Sequence, residues 1–253
     1  MRDQVLDHWN RQASRGEAAG TQDLLAQQLE HRSILVALGR LRPSTILEVG
    51  CGTGVLARLM AEEHPAADIL ALDFSEQMIA AAKARPYPAS RLRFAVGDVQ
   101  SLPHGRWDVV VTERMLINLQ TWPSQQLAIE AIQARLQPGG SYLMCENSAD
   151  GLEAINASRV AIGLPAITAP WHNRYLRTQE LEAVAREHWA GLKCEEFSST
   201  YYFLSRVVNA WQAQQAGKEP RYDAEINQLA LLMGSGGPWA QGRLWTWEKA
   251  PIV

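Results

Sequence analysis

An apolar run that leads into three glycines at alternate positions lies at residues 46–54, Ile-Leu-Glu-Val-Gly-Cys-Gly-Thr-Gly. Glycines spaced in this way let the backbone turn tightly and let a ligand come closer than a β-carbon would permit, with amide N–H groups free to bind it. Apolar residues then recur at helical spacing, at Val55, Leu56, Leu59 and Met60. The pattern predicts a strand that turns into a helix around a bound ligand. It is not the dinucleotide fingerprint G-x-G-x-x-G, because the third glycine of that fingerprint would fall on Val55.

Acidic residues stand at the ends of the next three predicted strands. Asp73 lies about 20 residues beyond the glycine turn, where a carboxylate can accept hydrogen bonds from both hydroxyls of a ribose. Asp98 ends the segment that begins at Arg91, and Glu113 follows the apolar strand that begins at Trp107. These positions predict a nucleoside site at one edge of a sheet. Structural roles are open as alternatives, because Asp73 can cap a helix, Asp98 can start a turn and Glu113 can be a solvated loop acid.

The order of these motifs resembles that of a known enzyme family. With Glu48 two residues before Gly50, the pattern E-x-G-x-G-x-G resembles the first motif of the class I S-adenosylmethionine-dependent methyltransferases. The three strands that end in acids follow in the order of that family. Residues 137–146, Gln-Pro-Gly-Gly-Ser-Tyr-Leu-Met-Cys-Glu, match its turn into the fifth strand. The resemblance implies an enzyme that uses S-adenosylmethionine as a co-substrate.

The resemblance also implies a set of cofactor-binding residues. Asp73 is expected to hold the ribose, Asp98 and Val99 to lie beside the adenine, and Glu113 to border the methionine moiety. Arg32, on a predicted N-terminal helix, is a candidate for the methionine carboxylate, because a guanidinium binds a carboxylate bidentately. A solvated helix arginine is the alternative for Arg32. The full predicted set is Glu48, Gly50, Cys51, Gly52, Gly54, Asp73, Phe74, Met78, Asp98, Val99, Glu113 and Arg32.

The alternation of predicted strands and helices indicates an α/β fold. We expect a Rossmann-like doubly wound sheet, mostly parallel with an antiparallel last strand, and helices on both faces. Residues 1–253 are interpreted as a single class I methyltransferase-like domain. The predicted segments are an N-terminal helical lid at 1–40, cap insertions over the active site at 148–177 and 201–240, and between the insertions a helix at 178–190 and a strand at 193–200.

Composition and charge limit the class of protein further. Of the 253 residues, 47% are hydrophobic and 20% are charged, which is ordinary for a globular enzyme. The formal net charge of −3 provides no basic surface, so we expect no nucleic-acid partner. No apolar run is long enough to cross a membrane, and the first residues lack an apolar signal core. Since the three cysteines have no metal-binding spacing, we expect a metal-free cytoplasmic protein that is a monomer or homodimer.

The acceptor side of the site has three candidate catalytic residues. His172 and Tyr175 belong to the run Pro-Trp-His-Asn-Arg-Tyr in the first insertion, and Glu113 borders the cofactor site. An imidazole with a reference pKa near 6.5 can accept a hydroxyl proton. A tyrosine ring can stack on an acceptor or face a sulfonium. Simple packing roles for His172 and Tyr175 are open as alternatives.

Four functions are compatible with these motifs. The resemblance favours a methyltransferase that acts on an oxygen or nitrogen of a small molecule, in secondary metabolism, by in-line displacement. An enzyme of the same fold can instead close a ring within the methionine moiety and release methylthioadenosine. A nicotinamide-dependent oxidoreductase is disfavoured by Val55 and by the lack of a nearby Tyr-x-x-x-Lys pair. A non-catalytic protein that binds S-adenosylmethionine is disfavoured by the intact glycine loop.

Overall fold

The computed structural model describes residues 2–87 and 90–250, without the side chains of residues 187 and 188. Seven strands form one sheet in this part of the chain, namely β1 Thr45–Val49, β2 Asp68–Asp73, β3 Leu92–Val96, β4 Trp107–Glu113, β5 Leu136–Asn147, β6 Gly191–Glu195 and β7 Gly242–Glu248. Their order across the sheet is β3-β2-β1-β4-β5-β7-β6. β7 is antiparallel to both of its neighbours, whereas the other neighbouring pairs are parallel. The predicted Rossmann-like sheet with an antiparallel last strand is confirmed.

Helices cover both faces of the sheet, as predicted. In the described part of the chain the α-helices are α1 Arg2–Gln12, α2 Leu24–Leu41, α3 Val55–Glu63, α4 Glu76–Lys83, α5 Trp122–Ala134, α6 Ala149–Ala161, α7 Thr178–His188, α8 Ser199–Phe203, α9 Asn209–Gln215 and α10 Glu225–Ala230. Successive strand residues point to opposite faces, so Ile46 packs with α2, α3 and α4 whereas Leu47 packs with α5 and α7. Across residues 2–87 and 90–250, no helix combines the length and apolar character needed to span a bilayer.

The two predicted insertions pack together beside the start of α2. Ile155 of α6 and Tyr201 of α8 share an apolar cluster with Ala26 of α2. Buried Asp23 accepts hydrogen bonds at 2.6 Å from the hydroxyl of Tyr201 and at 2.6 Å from Nη2 of Arg206. This junction joins the insertions to the N-terminal part of the chain.

The strand predicted at 193–200 is wrong in its second half. β6 ends at Glu195, and α8 begins at Ser199. The Ser198 hydroxyl donates to the carbonyl of Gly242 at 2.5 Å, and the Ser199 hydroxyl donates to the carbonyl of Gly237 at 2.6 Å. Because these serines bond to the backbone of a distant segment, the chain leaves the sheet at this point.

Candidate functional site

A cavity of about 310 Å³ lies at the carboxyl ends of β1 to β4. The chain order reverses beside β1, and ligands of open α/β sheets bind in the crevice at such a switch point. The cavity wall also includes residues of α1 and of the 3-10 helix Ala13–Ala19. Most of the predicted cofactor-binding residues line it, namely Gly50, Cys51, Gly52, Asp73, Phe74, Met78, Asp98, Val99 and Glu113.

The three glycines after β1 have different roles. All adopt positive φ, at 84° for Gly50, 53° for Gly52 and 73° for Gly54, which other residues rarely do. A β-carbon on Gly50 would lie 2.5 Å from Met115 Cγ, and one on Gly54 would lie 2.5 Å from Phe94 Cε1. Those two glycines therefore serve close packing within the protein. At Gly52 nothing lies within 4 Å of the β-carbon position, so this glycine leaves room for a ligand.

We expect Gly52→Ala to weaken cofactor binding without a matching effect on stability. The substitution strains a left-handed backbone by about 1 kcal/mol and adds a methyl group to the cavity wall. Calorimetric titration with S-adenosylhomocysteine should show affinity lowered by at least about tenfold, or ~1.4 kcal/mol.

Gly163→Ala is the matched control for this prediction. Gly163 also has positive φ, at 80°, and nothing lies within 4 Å of its β-carbon position, but it does not line the cavity. Thermal unfolding should show similar losses for the two variants. Equal cofactor affinities would contradict the assignment of Gly52.

Asp73 joins the loops that follow β1 and β2. Its Oδ2 accepts a hydrogen bond from the backbone N–H of Gly52 at 2.8 Å, and its Oδ1 accepts one from Ser75 at 2.9 Å. Burial raises the pKa of Asp73 to about 6, although these two donors act in the opposite direction. Each carboxylate oxygen can accept a further hydrogen bond. The position and chemistry of Asp73 thus match those required for holding ribose hydroxyls.

The N-terminal segment, residues 2–20, contacts each of the four loops around the cavity. The contacts are Arg2 with Asp98, Trp9 Nε1 donating to Asn118 Oδ1 at 3.1 Å, Ser75 Oγ donating to Asn10 Oδ1 at 2.7 Å, and Thr53 Oγ1 donating to the carbonyl of Gly16 at 3.1 Å. The segment therefore crosses the carboxyl edge of the sheet and is attached beyond β1, β2, β3 and β4.

Glu48 lies beneath the cavity rather than in its wall. It is only 2% exposed, and burial raises its pKa well above the usual range. The nearby charges of Glu113 and Asp73 raise this pKa further. Its Oε2 has no hydrogen-bond partner within residues 2–87 and 90–250. The Glu48 side chain is therefore a buried carboxyl group that does not line the cavity.

Glu113 belongs to a buried charged cluster at the cavity wall. Its Oε2 lies 3.2 Å from Nε2 of His31, and its Oε1 lies 3.6 Å from Nη2 of Arg114. Burial acts to raise the pKa of Glu113, but the contacts with His31 and Arg114 lower it to about 2. Burial raises the pKa of the neighbouring Glu30, which hydrogen-bonds with Glu113, to about 8. At neutral pH the cluster thus presents one ionised carboxylate, Glu113, to the cavity.

Arg114 is a buried cation of the cavity wall that the sequence analysis missed. Its φ of 49° lies in the left-handed region, which is uncommon outside glycine. Its Nε lies 3.2 Å from Oε2 of Glu30, and its Nη1 donates to the carbonyl of Gly20 at 3.1 Å. Arg114 therefore connects β4, α2 and the N-terminal segment. The available sequence signal was its position directly after the acid that ends an apolar strand.

Glu146 holds the loop after β4 in place from the neighbouring strand. Its carboxylate accepts hydrogen bonds from the backbone N–H groups of Met115 at 3.0 Å, Leu116 at 2.9 Å and Ile117 at 3.3 Å. Burial raises its pKa to about 7 against these donors. The loop so held supplies the Met115 side chain that packs on Gly50.

The structure does not bring Arg32 to the cavity. Arg32 is exposed on α2 and lines a separate groove between α2 and α3, called here the outer groove, whose wall also includes Gln28, His31 and Glu63. Its predicted contact with the methionine carboxylate is therefore not favoured by this placement. In the part of the chain that the structure describes, the arginines that line the cavity are Arg2 and Arg114.

His172 and Tyr175 also lie outside the cavity lining. The His172 ring lies 4.4 Å from that of His8 and 5.6 Å from that of Trp9, between centroids. Burial and the neighbouring His8 lower the pKa of His172 to about 4, so it is neutral at pH 7. Burial raises the pKa of Tyr175, whose hydroxyl accepts a hydrogen bond from Gln241 at 3.5 Å. The catalytic roles of His172 and Tyr175 stay predictions.

The cavity wall fits the parts of S-adenosylmethionine. The open position at Gly52 and the carboxylate of Asp73 suit a ribose, and the apolar surfaces of Phe74 and Val99 suit an adenine ring. Asp98 lies beside Val99 and can accept a hydrogen bond from an exocyclic amine. The ionised Glu113 stands at the end of β4, where a cationic group can approach it.

Comparison with known proteins shows that this chain is similar to methyltransferases. A family profile described as "Methyltransferase domain" matches residues 46–140. The chain is 30% identical over 173 residues to the ubiquinone biosynthesis O-methyltransferase of Acinetobacter baylyi. This alignment covers 65% of this chain and 69% of that relative. It is 34% identical over 99 residues to the malonyl-(acyl-carrier protein) O-methyltransferase of Priestia megaterium, covering 39% of this chain and only 35% of that relative.

The fold also matches solved structures. One is a putative methyltransferase of Haloferax volcanii, which was solved in complex with a methyltransferase activator. The TM-score is 0.61 at 18% sequence identity, over 96% of this chain and 98% of that one. Because the sequence identity is only 18%, this similarity shows the fold alone.

Proposed function

The chain belongs to the class I S-adenosylmethionine-dependent methyltransferases, and on that basis we propose that it methylates an oxygen or nitrogen atom of a small molecule. S-adenosylmethionine is the co-substrate, and when bound it supplies a methyl group attached to a positively charged sulfur. The observation that carries the proposal is the cavity at the ends of β1 to β4, where the open position at Gly52 adjoins the Asp73 carboxylate.

Enclosure of the cavity supports a small acceptor. The N-terminal segment is attached to all four loops around the cavity, so we propose that it acts as a lid, with the two insertions as a cap beside it. The formal charge of −3 also disfavours a nucleic-acid acceptor. Both relatives named above are O-methyltransferases, which supports oxygen as the atom that is methylated.

The residues of the chain act mainly by alignment and by excluding water. Asp73 holds the ribose, Val99 packs against the adenine, and Glu113 faces the reacting end of the cavity. A sulfonium departs as a neutral sulfur, so the leaving group needs no proton. A base is required only when the acceptor itself has to lose a proton. Glu113 is the ionised group of the cavity wall placed for that role.

The free cysteines support a proposed cytoplasmic location. Cys51 and Cys145 are buried free thiols, and Cys194 is also free. Free thiols of this kind are typical of proteins that work in a reducing compartment.

Mass spectrometry tests the proposed reaction in two steps. The purified protein is first incubated with S-adenosylmethionine alone, and we expect the co-substrate to persist. Release of methylthioadenosine at this step would contradict methyl transfer and identify ring closure within the methionine moiety. Small alcohols, phenols, amines and carboxylates are then added, and S-adenosylhomocysteine should appear with a product heavier by one methylene. Methylation confined to added protein or RNA would overturn the small-molecule assignment.

A further inference from the structure

His31 connects the cavity wall to the outer groove. Its Nε2 lies 3.2 Å from Oε2 of Glu113, which lines the cavity. The same His31 lines the outer groove between α2 and α3, whose lining does not include Glu113. Both side chains are almost fully buried, with 9% of His31 and 10% of Glu113 exposed. The pair thus forms a direct polar connection between two separate openings in the protein surface.

Methylation of a hydroxyl or an amine releases a proton that has to leave the closed site. The lone pair of the acceptor atom forms the bond to the methyl carbon, and the carbon–sulfur bond breaks with its electron pair staying on sulfur. The acceptor atom then gives up the proton that it carried. A carboxylate acceptor has no such proton to lose. A path for protons through the wall is therefore useful only for a protic acceptor.

We propose that Glu113 and His31 form a proton relay for an acceptor with a hydroxyl or amine, and that the outer groove is the exit of this relay. The inference rests on the proposed methyl transfer. The proton passes from the acceptor to the Glu113 carboxylate and from there to Nε2 of His31, in the tautomer that carries its ring hydrogen on Nδ1. Nδ1 then gives its proton to water in the outer groove, and exchange with that water returns the ring hydrogen to Nδ1.

The neighbours of Glu113 leave His31 as the group that can take the proton. The ion pair with Arg114 makes Glu113 a poor store for a proton, so a proton received there is passed on. Arg114 has no acceptor atom. Burial raises the pKa of Glu30 beside it to about 8, so Glu30 already holds its proton at neutral pH, and the buried Glu48 beneath it does not line the outer groove. His31 is the remaining contact, and it alone among these groups also reaches the outer groove.

Removal of the imidazole, followed by its replacement from solution, tests the relay in the full-length enzyme. The probes are catechol, which has hydroxyl protons to lose, and benzoate, which offers a carboxylate on the same ring. With catechol, His31→Ala should lower kcat by at least about tenfold and leave the Kd for S-adenosylmethionine within about twofold. Added imidazole should restore much of the lost rate by entering the outer groove. Gln28→Ala changes the same groove and should keep the wild-type rate with or without imidazole.

Several results would overturn the relay. One is full catechol activity in His31→Ala, and another is a loss of activity that imidazole does not restore. Preferential methylation of benzoate by the wild-type enzyme would remove the need for a proton path. By contrast, wild-type enzyme that binds S-adenosylmethionine and methylates only macromolecules would contradict the proposed function instead.

Nitrogen NMR of labelled histidine decides the question when neither probe is methylated. In the complex with S-adenosylhomocysteine, the relay requires the ring N–H proton of His31 to exchange with water through the outer groove. A His31 ring proton that does not exchange with water would overturn the relay.

Discussion

Replacement of Asp73 by alanine is expected to lower the affinity for S-adenosylmethionine by about two orders of magnitude. Hydrogen bonds to a charged group contribute roughly 1.5–3 kcal/mol each, and the carboxylate is placed to accept hydrogen bonds from both ribose hydroxyls. A loss of about 3 kcal/mol corresponds to roughly 100-fold in Kd. The melting temperature should change little, since removal of a buried charge offsets the loss of the bonds from Gly52 and Ser75. Isothermal titration and thermal unfolding measure the two effects.

Asp68→Ala is the matched control, because Asp68 lies on the same strand as Asp73 but at its opposite, exposed end. This variant should bind the co-substrate as the wild type does. An Asp73→Ala protein with unchanged affinity would remove Asp73 from the nucleoside site.

The raised pKa of Asp73 predicts a pH dependence of cofactor binding. With a pKa of about 6, the carboxylate is ionised at pH 7 to 8 and becomes protonated as the pH falls. Affinity for S-adenosylhomocysteine should therefore be highest above about pH 7 and should fall below pH 6, approaching tenfold per pH unit. Asp73→Asn, which cannot titrate, should bind weakly without this dependence. Equal wild-type affinities at pH 5 and pH 7.5 would contradict the prediction.

Replacement of Glu146 by alanine should have the largest effect on stability. The change leaves three buried backbone N–H groups, those of Met115, Leu116 and Ile117, without their acceptor. Each unsatisfied group costs about 1–3 kcal/mol, so we expect a loss of at least about 3 kcal/mol. For a chain of this size that corresponds to a fall of roughly 10 °C in Tm. Cofactor binding should weaken too, because Met115 no longer packs firmly on Gly50.

Two further variants separate this effect from a general loss of charge. Glu146→Gln keeps a carbonyl oxygen for the same donors and should recover most of the stability. Glu195→Ala removes an exposed acid from β6 and should change stability by no more than about 0.5 kcal/mol. A Tm for Glu146→Ala that matches that of the wild type would show that other groups hold the loop.

Local sequence patterns were sufficient for the parallel strands of the sheet and for nine of the residues that line the cavity. Apolar runs that end in Gly50, Asp73, Asp98 or Glu113 identified four parallel strands and the edge at which their loops meet. This prediction succeeded because parallel strands place their carboxyl ends at one edge, so position along the chain determines which residues share a site. The strand predicted at 193–200 failed in its second half, since the hydroxyls of Ser198 and Ser199 bond to residues more than 35 positions away.

The sequence by itself thus determined the family, the fold and nine of the residues that line the cavity, because these follow from short motifs in a regular order. Only the tertiary structure decided which charged groups face that cavity. Arg32 and His31 are adjacent on one helix, yet His31 contacts Glu113 whereas Arg32 faces outward. The roles of Arg114 and Glu146 depend on contacts with residues that are distant along the chain, namely Glu30 and Met115. Helix rotation and long-range packing set these contacts, and neither leaves a local signal in the sequence.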